Sequence, residues 1–326
     1  MELLLLLPIL AGVALVDFLF SGDDSGGATD DDNSEPTPTN LVKDGTSSDD
    51  GLTGASNDDF LLGGAGDDKL EGGKSNDLLL GEKGADELFG GIGYDTLLGG
   101  NGNDTIFGLT GKDFIIGGGG EDEINGGRGD DTISGSSGAD KLEGGAGNDV
   151  ISGIDMGENL DPLAVNLLAD EDDAETAAEA LASNVRSTFG ADAADDNAGR
   201  LTEALTSGNS NTDDDALFGG RGDDTILGDL SDTMTGGEGE DDLQIIKSAN
   251  NQVVTVTDFD PAQDKLTIYV PQGTNVTYTL VNGATPADGV SVTLQSGVVA
   301  AVLKGVSAAD LPANLVTWVQ VPPTTV

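Results

Sequence analysis

Between Gly45 and Ser152 the apolar positions fall on a nine-residue period, in twelve consecutive units without an insertion. The eighth position of every unit is Leu or Ile, as at Leu61, Leu97, Ile106 and Ile151, and its neighbours are mostly polar. The first position is Gly in all twelve units and the fourth is Gly in nine. The sixth is Asp throughout: Asp50, Asp59, Asp68, Asp77, Asp86, Asp95, Asp104, Asp113, Asp122, Asp131, Asp140 and Asp149. The pattern returns at 210–244, where Asp215, Asp224, Asp232 and Asp241 precede Leu217, Ile226, Met234 and Leu243 by two residues; one unit there, Gly228–Thr235, is a residue short. A lone aliphatic among polar neighbours predicts a very short strand with one inward side chain. The glycines predict a tight, curled turn that needs positive φ. Strands of about three residues do not stand alone. The spacing therefore predicts turn stacked on turn, a parallel solenoid of two sheets with two units per coil. The position-six Asp then recurs every 18 residues along one edge.

Outside the repeats the pattern changes three times. Residues 3–16 form an apolar run followed by Asp17 and Phe18–Phe20, with no Lys or Arg before it. Its length is short for a spanning helix and its start lacks the basic region of a secretory signal. An uncleaved hydrophobic end or weak anchor, an export signal and a membrane span all stay open for residues 1–20. Residues 21–44 read as an acidic linker. Residues 153–209 interrupt the repeats with two Ala-rich stretches, Asp170 to Arg186 and Asp195 to Thr206, that carry acids near their starts and predict a helical hairpin. From 245 to 326 β-branched alternation takes over, at Val253–Thr257, Leu266–Val270, Val276–Leu280, Val290–Leu294, Val298–Leu303 and Val316–Val321, separated by turns at Pro271–Gly273, Asn282-Gly283 and Ala287–Gly289. This predicts a compact antiparallel β unit.

Composition narrows the chemistry. The chain has 60 acidic residues against 13 basic, a formal charge of −47, and no His or Cys. Imidazole and thiolate metal sites, disulfides and His-dependent triads are excluded. Nucleic acid and anionic lipid are repelled. What remains is oxygen ligation of hard cations. The charge is uneven: −16 over 45–152, −10 over 210–244 and only −2 over 245–326, so solubility in salt is not its whole cause. One buried aliphatic per nine residues is a thin return for ordering so many glycines. Carboxylates would also line up along both edges. The arrays therefore need bridging cations to order.

Units such as Gly63–Glu71 (GGAGDDKLE) and Gly99–Phe107 (GGNGNDTIF) resemble the repeats-in-toxin (RTX, haemolysin-type) calcium-binding nonapeptide. The resemblance implies an all-β fold, a calcium-bound parallel β-roll, here with a small helical insert and a C-terminal antiparallel β cap. It implies that calcium lies between successive turns, held by turn carbonyls and the sixteen position-six Asp residues. Two separate rolls would have twelve same-edge gaps and one continuous roll fourteen, giving about 12–14 Ca2+ ions. Thr46, Ser48, Ala55 and Asn57 replace glycines in the first two units, and Leu109 and Ser136 depart more mildly. Val256–Leu266 resembles the segment that follows such repeats and caps the roll. An uncovered solenoid end exposes strand edges, so some cap is required. The family's C-terminal region also carries a type I secretion signal, which implies the type I secretion machinery as a partner and an extracellular location.

The expected organisation is thus 1–20 hydrophobic segment, 21–44 linker, 45–152 first array, 153–209 insert, 210–244 second array and 245–326 cap. The expected function is a secreted or surface-associated calcium-binding structural protein, not an enzyme. The alternative is an adhesion or partner-binding module that presents the insert or the C-terminal unit to a cell-surface or matrix partner. A hydrolase is a weaker third reading. Arg128-Gly-Asp130 and Arg221-Gly-Asp223 are explained by the repeat frame, and Gly73-Lys-Ser75 lacks the upstream glycine of a phosphate loop.

Overall fold

The structure, a computed structural model, describes residues 41–153, 214–229, 231–247, 253–283, 288–312 and 315–321. The chain divides into two units, 1–37 and 38–326, and every described residue belongs to the second. Among the described residues there are twenty-three strands and no α-helix. The expected helical hairpin lies outside them.

The strands form two sheets. One contains, in spatial order, β1 (Val42–Asp44), β3 (Phe60–Ala65), β5 (Leu78–Lys83), β7 (Thr96–Asn101), β9 (Phe114–Gly119), β11 (Thr132–Ser137), β13 (Val150–Ser152), β15 (Thr225–Asp229), β17 (Asp242–Ile246), β19 (Lys265–Pro271) and β23 (Val316–Val321). The other contains β2 (Gly51–Thr53), β4 (Lys69–Lys74), β6 (Glu87–Ile92), β8 (Thr105–Thr110), β10 (Glu123–Arg128), β12 (Lys141–Ala146), β14 (Ala216–Arg221), β16 (Thr233–Glu238), β18 (Val254–Val256), β22 (Val299–Leu303), β21 (Val290–Leu294) and β20 (Tyr278–Asn282). Alternate units feed alternate sheets, so the chain coils as a parallel β-solenoid with one 18-residue coil per two units. The position-eight residues Leu61, Leu70, Leu79, Leu88, Leu97, Ile106 and Ile115 are fully buried in a single column between the sheets.

The two arrays are one solenoid. β14 pairs with β12, and β15 with β13, in the same register as every other coil, placing Leu217 beside Leu142 and Ile226 beside Ile151. The intervening residues leave the ladder at Gly153 and rejoin it at Asp215 without a register shift, as the N–H of Ala216 donating to Asp140 O and that of Thr225 to Asp149 O show (each 2.8 Å).

The coil also begins one unit earlier than the repeats do. In β1, Lys43 takes the core position opposite Leu61 and Leu41 the place of the Asp. The Lys43 stem covers the column's end while its Nζ donates to Thr53 O on the facing strand.

The outer faces of the sheets differ. On the first, positions seven and nine are apolar and buried at Phe60, Leu78, Leu80, Phe114 and Ile116. On the second they are Lys69, Glu71, Glu87, Glu123, Lys141 and Glu143, partly or wholly exposed. There Lys141 pairs with Glu123 at 2.5 Å, and Phe89 stacks on Phe107 with ring centroids 5.3 Å apart. The single-inward-residue reading accounts for the apolar burial of the second sheet, whereas the first sheet buries outer-face residues as well.

The residues after Gln244 do not form a separate antiparallel unit. β18 and β19 continue the parallel ladders from β16 and β17, and β22 and β23 pair parallel with β18 and β19. Among the described residues antiparallel pairing is confined to β21, with β20 on one side and β22 on the other. Alternation predicted these strands but carried no information on their direction. Here two or three inward residues per strand, such as Leu266, Ile268 and Val270, replace the single aliphatic of the repeats.

Candidate metal centre

Each repeat turn places its Asp between two coils, with the two carboxylate oxygens in different roles. Oδ1 accepts the backbone N–H of the equivalent Asp one coil earlier: Asp59 N–H donates to Asp77, Asp68 to Asp86, Asp86 to Asp104, Asp104 to Asp122 and Asp113 to Asp131, at 2.7–2.8 Å. The ladder crosses the interruption intact, from Asp140 N–H to Asp215 and from Asp149 N–H to Asp224, each 2.8 Å. The Asp therefore satisfies a buried backbone donor on each coil, a structural task beside any metal.

The other oxygen is turned inward. Oδ2 of Asp68, Asp77, Asp86, Asp104, Asp122, Asp131, Asp149 and Asp224 is buried and accepts no hydrogen bond. It lies against the position-one glycine of its own unit. A Cβ built on Gly63 would fall 2.6 Å from Asp68 Oδ2 and 2.8 Å from the carbonyl oxygen of Gly81 on the next coil. The same pairing of carboxylate and carbonyl recurs at Gly72, Gly81, Gly99, Gly108, Gly117 and Gly126. The invariant glycine thus keeps open a small space between an anionic oxygen and a carbonyl oxygen. Buried carboxylates without donors are costly unless neutralised, and oxygen-only donors suit a hard cation. Among the described residues no three acidic side chains converge on one point. Backbone carbonyls must therefore complete any cation's shell. The donor set fits calcium.

Electrostatics agree. Burial, the largest cause, pushes Asp86, Asp122 and Asp224 up to about 6, Asp77, Asp104 and Asp149 up to about 7, and Asp131 up to about 8. Backbone N–H donors pull each value partly back. For all but Asp122, neighbouring carboxylates push further up. Asp232, beside Asp215, reaches about 9. Rows of carboxylates held this way resist ionising until a cation arrives.

The rows end differently from their middles. In the first two units Oδ2 is already satisfied: Thr46 donates to Asp50 through N–H (2.7 Å) and Oγ1 (2.8 Å), and Ala55 N–H donates to Asp59 at 2.5 Å. These are the units whose glycines are replaced. In the shortened unit Asp229 N–H donates to Asp232 Oδ2 at 2.7 Å. At the far end Asp264, two residues before Leu266, takes a seventeenth position. Its Oδ1 accepts Asp241 N–H (3.2 Å) and its Oδ2 accepts Asp260 N–H (2.6 Å). Asp258 accepts from Gly236 and Gly237 N–H at 3.0 and 2.9 Å. Sequence reasoning missed Asp264, although the Asp-x-Leu spacing was there to find. It also missed position five, where Asp67, Asn76, Asn103, Asp130 and Asn148 each accept the N–H of the position-five residue one coil later, at 2.8–3.1 Å.

The backbone pays for this turn at four residues without glycine's freedom. Ser75, Glu82, Leu109 and Ser136 adopt φ of 75°, 75°, 78° and 75°. The sequence marks Leu109 and Ser136 as departures and passes over Ser75 and Glu82.

Together these features define a class: a parallel β-solenoid whose two edges carry rows of buried carboxylates facing carbonyl oxygens between coils. A sequence profile of the RTX calcium-binding nonapeptide repeat matches residues 44–79, 62–97, 98–133, 125–153 and 209–243. These stretches carry RTX calcium-binding repeats and, with the parallel β-solenoid, fit an RTX calcium-binding repeat protein; that repeat family implies calcium binding by a β-roll. No curated protein matches this chain.

Proposed function

We propose that the protein is a secreted or surface-associated structural protein whose solenoid orders on extracellular calcium, with the sixteen repeat Asp residues as ligands. The observation that carries this reading is the row of buried Oδ2 atoms without donors, most of them facing a carbonyl across a glycine, as at Asp68, Asp77, Asp86, Asp104, Asp122, Asp131 and Asp224. As one continuous solenoid it has fourteen same-edge gaps between those Asp residues, the upper of the two expected counts. Asp50 and Asp59 hold calcium least well, because backbone and hydroxyl donors already occupy their second oxygens. Modules tuned to extracellular calcium bind at about 10⁻⁴–10⁻³ M. At cytosolic calcium the arrays would stay unordered, a form suited to export through the type I machinery that the family uses. The apolar core of strands β18–β23 supports a capping role for residues 245–326.

The role is structural rather than catalytic, because the regularly placed carboxylates are engaged in the coil-to-coil ladder. A second reading, a spacer that displays residues 154–213 to a partner, is favoured by one observation: the ladder closes over that excursion without a register change. Circular dichroism and hydrodynamic radius followed through a calcium titration test the main reading. Compaction with gain of β signal is expected, and a chain fully folded in chelator overturns it. Removing residues 154–213 while retaining calcium-dependent folding, then assaying attachment to cells, separates the two readings. Export of N- and C-terminal truncations tests the secretion route.

A further inference from the structure

The two ends of the solenoid treat their open strand edges differently. At the start, β1 and β2 are three residues long, and β1 carries Lys43 and Asp44. Short, charged edge strands are poor templates for further pairing. At the other end the first sheet finishes on β23, six residues reading Val-Thr-Trp-Val-Gln-Val, with no charge and no proline. β23 pairs parallel with β19 along its whole length, from Val316 opposite Leu266 to Val321 opposite Pro271. Among the described residues no strand pairs with its far side. Within the described residues the main-chain groups that face away from β19 therefore form an open ladder.

This edge is held in place. Val316 is buried in the core, and the Trp318 ring packs at a tilt on Tyr278 with centroids 5.6 Å apart. The Trp318 indole N–H is buried and has no acceptor. Gln320 pins the preceding turn: Gly273 N–H donates to its Oε1 at 3.3 Å and its Nε2 donates to Thr274 O at 2.9 Å. Thr317 is exposed and Val319 half-buried. Nothing along the strand performs the blunting that Lys43 and Asp44 perform at the start.

Charge selects the occupant. The chain carries −47 in all but only −2 over residues 245–326. Calcium in the repeat gaps would offset the −26 of the two arrays but not the −19 over residues 1–44 and 153–209, whereas at the near-neutral end formed by 245–326 two copies meet little repulsion. A two-fold axis beside β23 would set it antiparallel to itself, an isologous pairing that closes after two copies. We propose that β23 is a homodimerisation edge, pairing antiparallel with β23 of a second copy so that the first sheet runs unbroken through both molecules.

Sedimentation velocity on the full chain in saturating calcium tests this. A dimer is expected at micromolar concentrations. Thr317→Lys with Val319→Lys sets like charges face to face across the two-fold axis and should raise the dissociation constant on the order of 100-fold, with the calcium-induced circular dichroism unchanged. Thr105→Lys with Asn125→Lys adds the same charge to the outer face of the second sheet and should leave the dimer intact. If the double variant at β23 fails to fold, Thr317→Lys alone, at the exposed position, gives the same readout. A monomer at every accessible concentration overturns the proposal, as does a dimer that survives the β23 lysines or is lost equally with the control pair.

Discussion

The repeat coils and the strands after Gln244 share the same two sheets, yet they are held together by opposite means. A repeat strand of the second sheet commits one aliphatic to the interior, such as Ile106 or Ile124, and places a buried Asp at its start. β19 and β21 commit three each, Leu266, Ile268 and Val270 in one and Val290, Val292 and Leu294 in the other. The C-terminal strands can close a core by apolar burial alone. The repeats have traded that burial for rows of carboxylates, which oppose folding until neutralised. The ladder is continuous across the boundary, with Lys265 N–H donating to Asp241 O (2.7 Å) and Asp241 N–H to the Asp264 carboxylate (3.2 Å), so the change in energetics is not a break in architecture. Asp264 marks the crossover: it keeps the ladder but caps its own second oxygen with Asp260 N–H, and so needs no cation.

Removing calcium should break the comparison open most widely. In excess chelator, amide protection is expected to disappear from β5 through β13 while a protected set persists in β21 and β22, measured by hydrogen exchange. Equal loss in both regions would show that the C-terminal core is not self-sufficient. Next in size are changes at single gaps. Gly99→Ala puts a Cβ where Asp104 Oδ2 and the Gly117 carbonyl now meet. It should abolish calcium binding at that gap and displace the coil, seen as a lower ion count and a less cooperative titration. Asp104→Asn should lose affinity but keep the coil, because an amide oxygen can still accept the Asp86 N–H. Asp104→Ala should lose both.

Acidity should act in opposite directions with and without metal. Aspartates whose values are higher folded than unfolded stabilise the metal-free coils at acid pH, and that contribution disappears as pH rises through the folded values. For Asp86, Asp104, Asp131 and Asp149 the loss begins near the unfolded value of 3.8 and is complete above folded values of about 6 to 8. Metal-free protein should therefore show more β signal at pH 5 than at pH 8. Calcium must displace those protons, so its affinity should rise over the same window with proton release visible by calorimetry in buffers of different ionisation enthalpy. The C-terminal strands should be indifferent to both.

The smallest effect concerns strain in the repeats alone. Leu109 is exposed at a φ of 78°. Leu109→Gly removes that penalty and should stabilise the calcium-loaded form by about 1 kcal/mol in thermal or denaturant unfolding.

How much of this was legible depends on the range of the interaction that decided it. The nine-residue period, the glycine at position one and the Asp at position six are local rules repeated along both arrays, so each residue type appears wherever its steric or electrical task recurs. Leu61 and its successors could be read as a core column, and Asp77 and its successors as an edge row, because both follow from strand period and coil length. Asp264 escaped because no glycine-rich turn precedes it, and the buried outer residues Phe60, Leu78 and Phe114 escaped because similar apolar residues, Phe89 and Phe107, stand at the equivalent places on the exposed sheet.

By itself the sequence determined the coil, its two edges and the cation chemistry those edges invite, since repetition turns local preference into global form. The tertiary structure alone decided that the two arrays are one solenoid, that β18, β19, β22 and β23 run parallel with it, and which oxygen of each Asp is spoken for. Those outcomes rest on pairings between residues far apart in the chain, such as Asp140 with Asp215. A strand's own pattern records which face is buried but not which neighbour lies beside it.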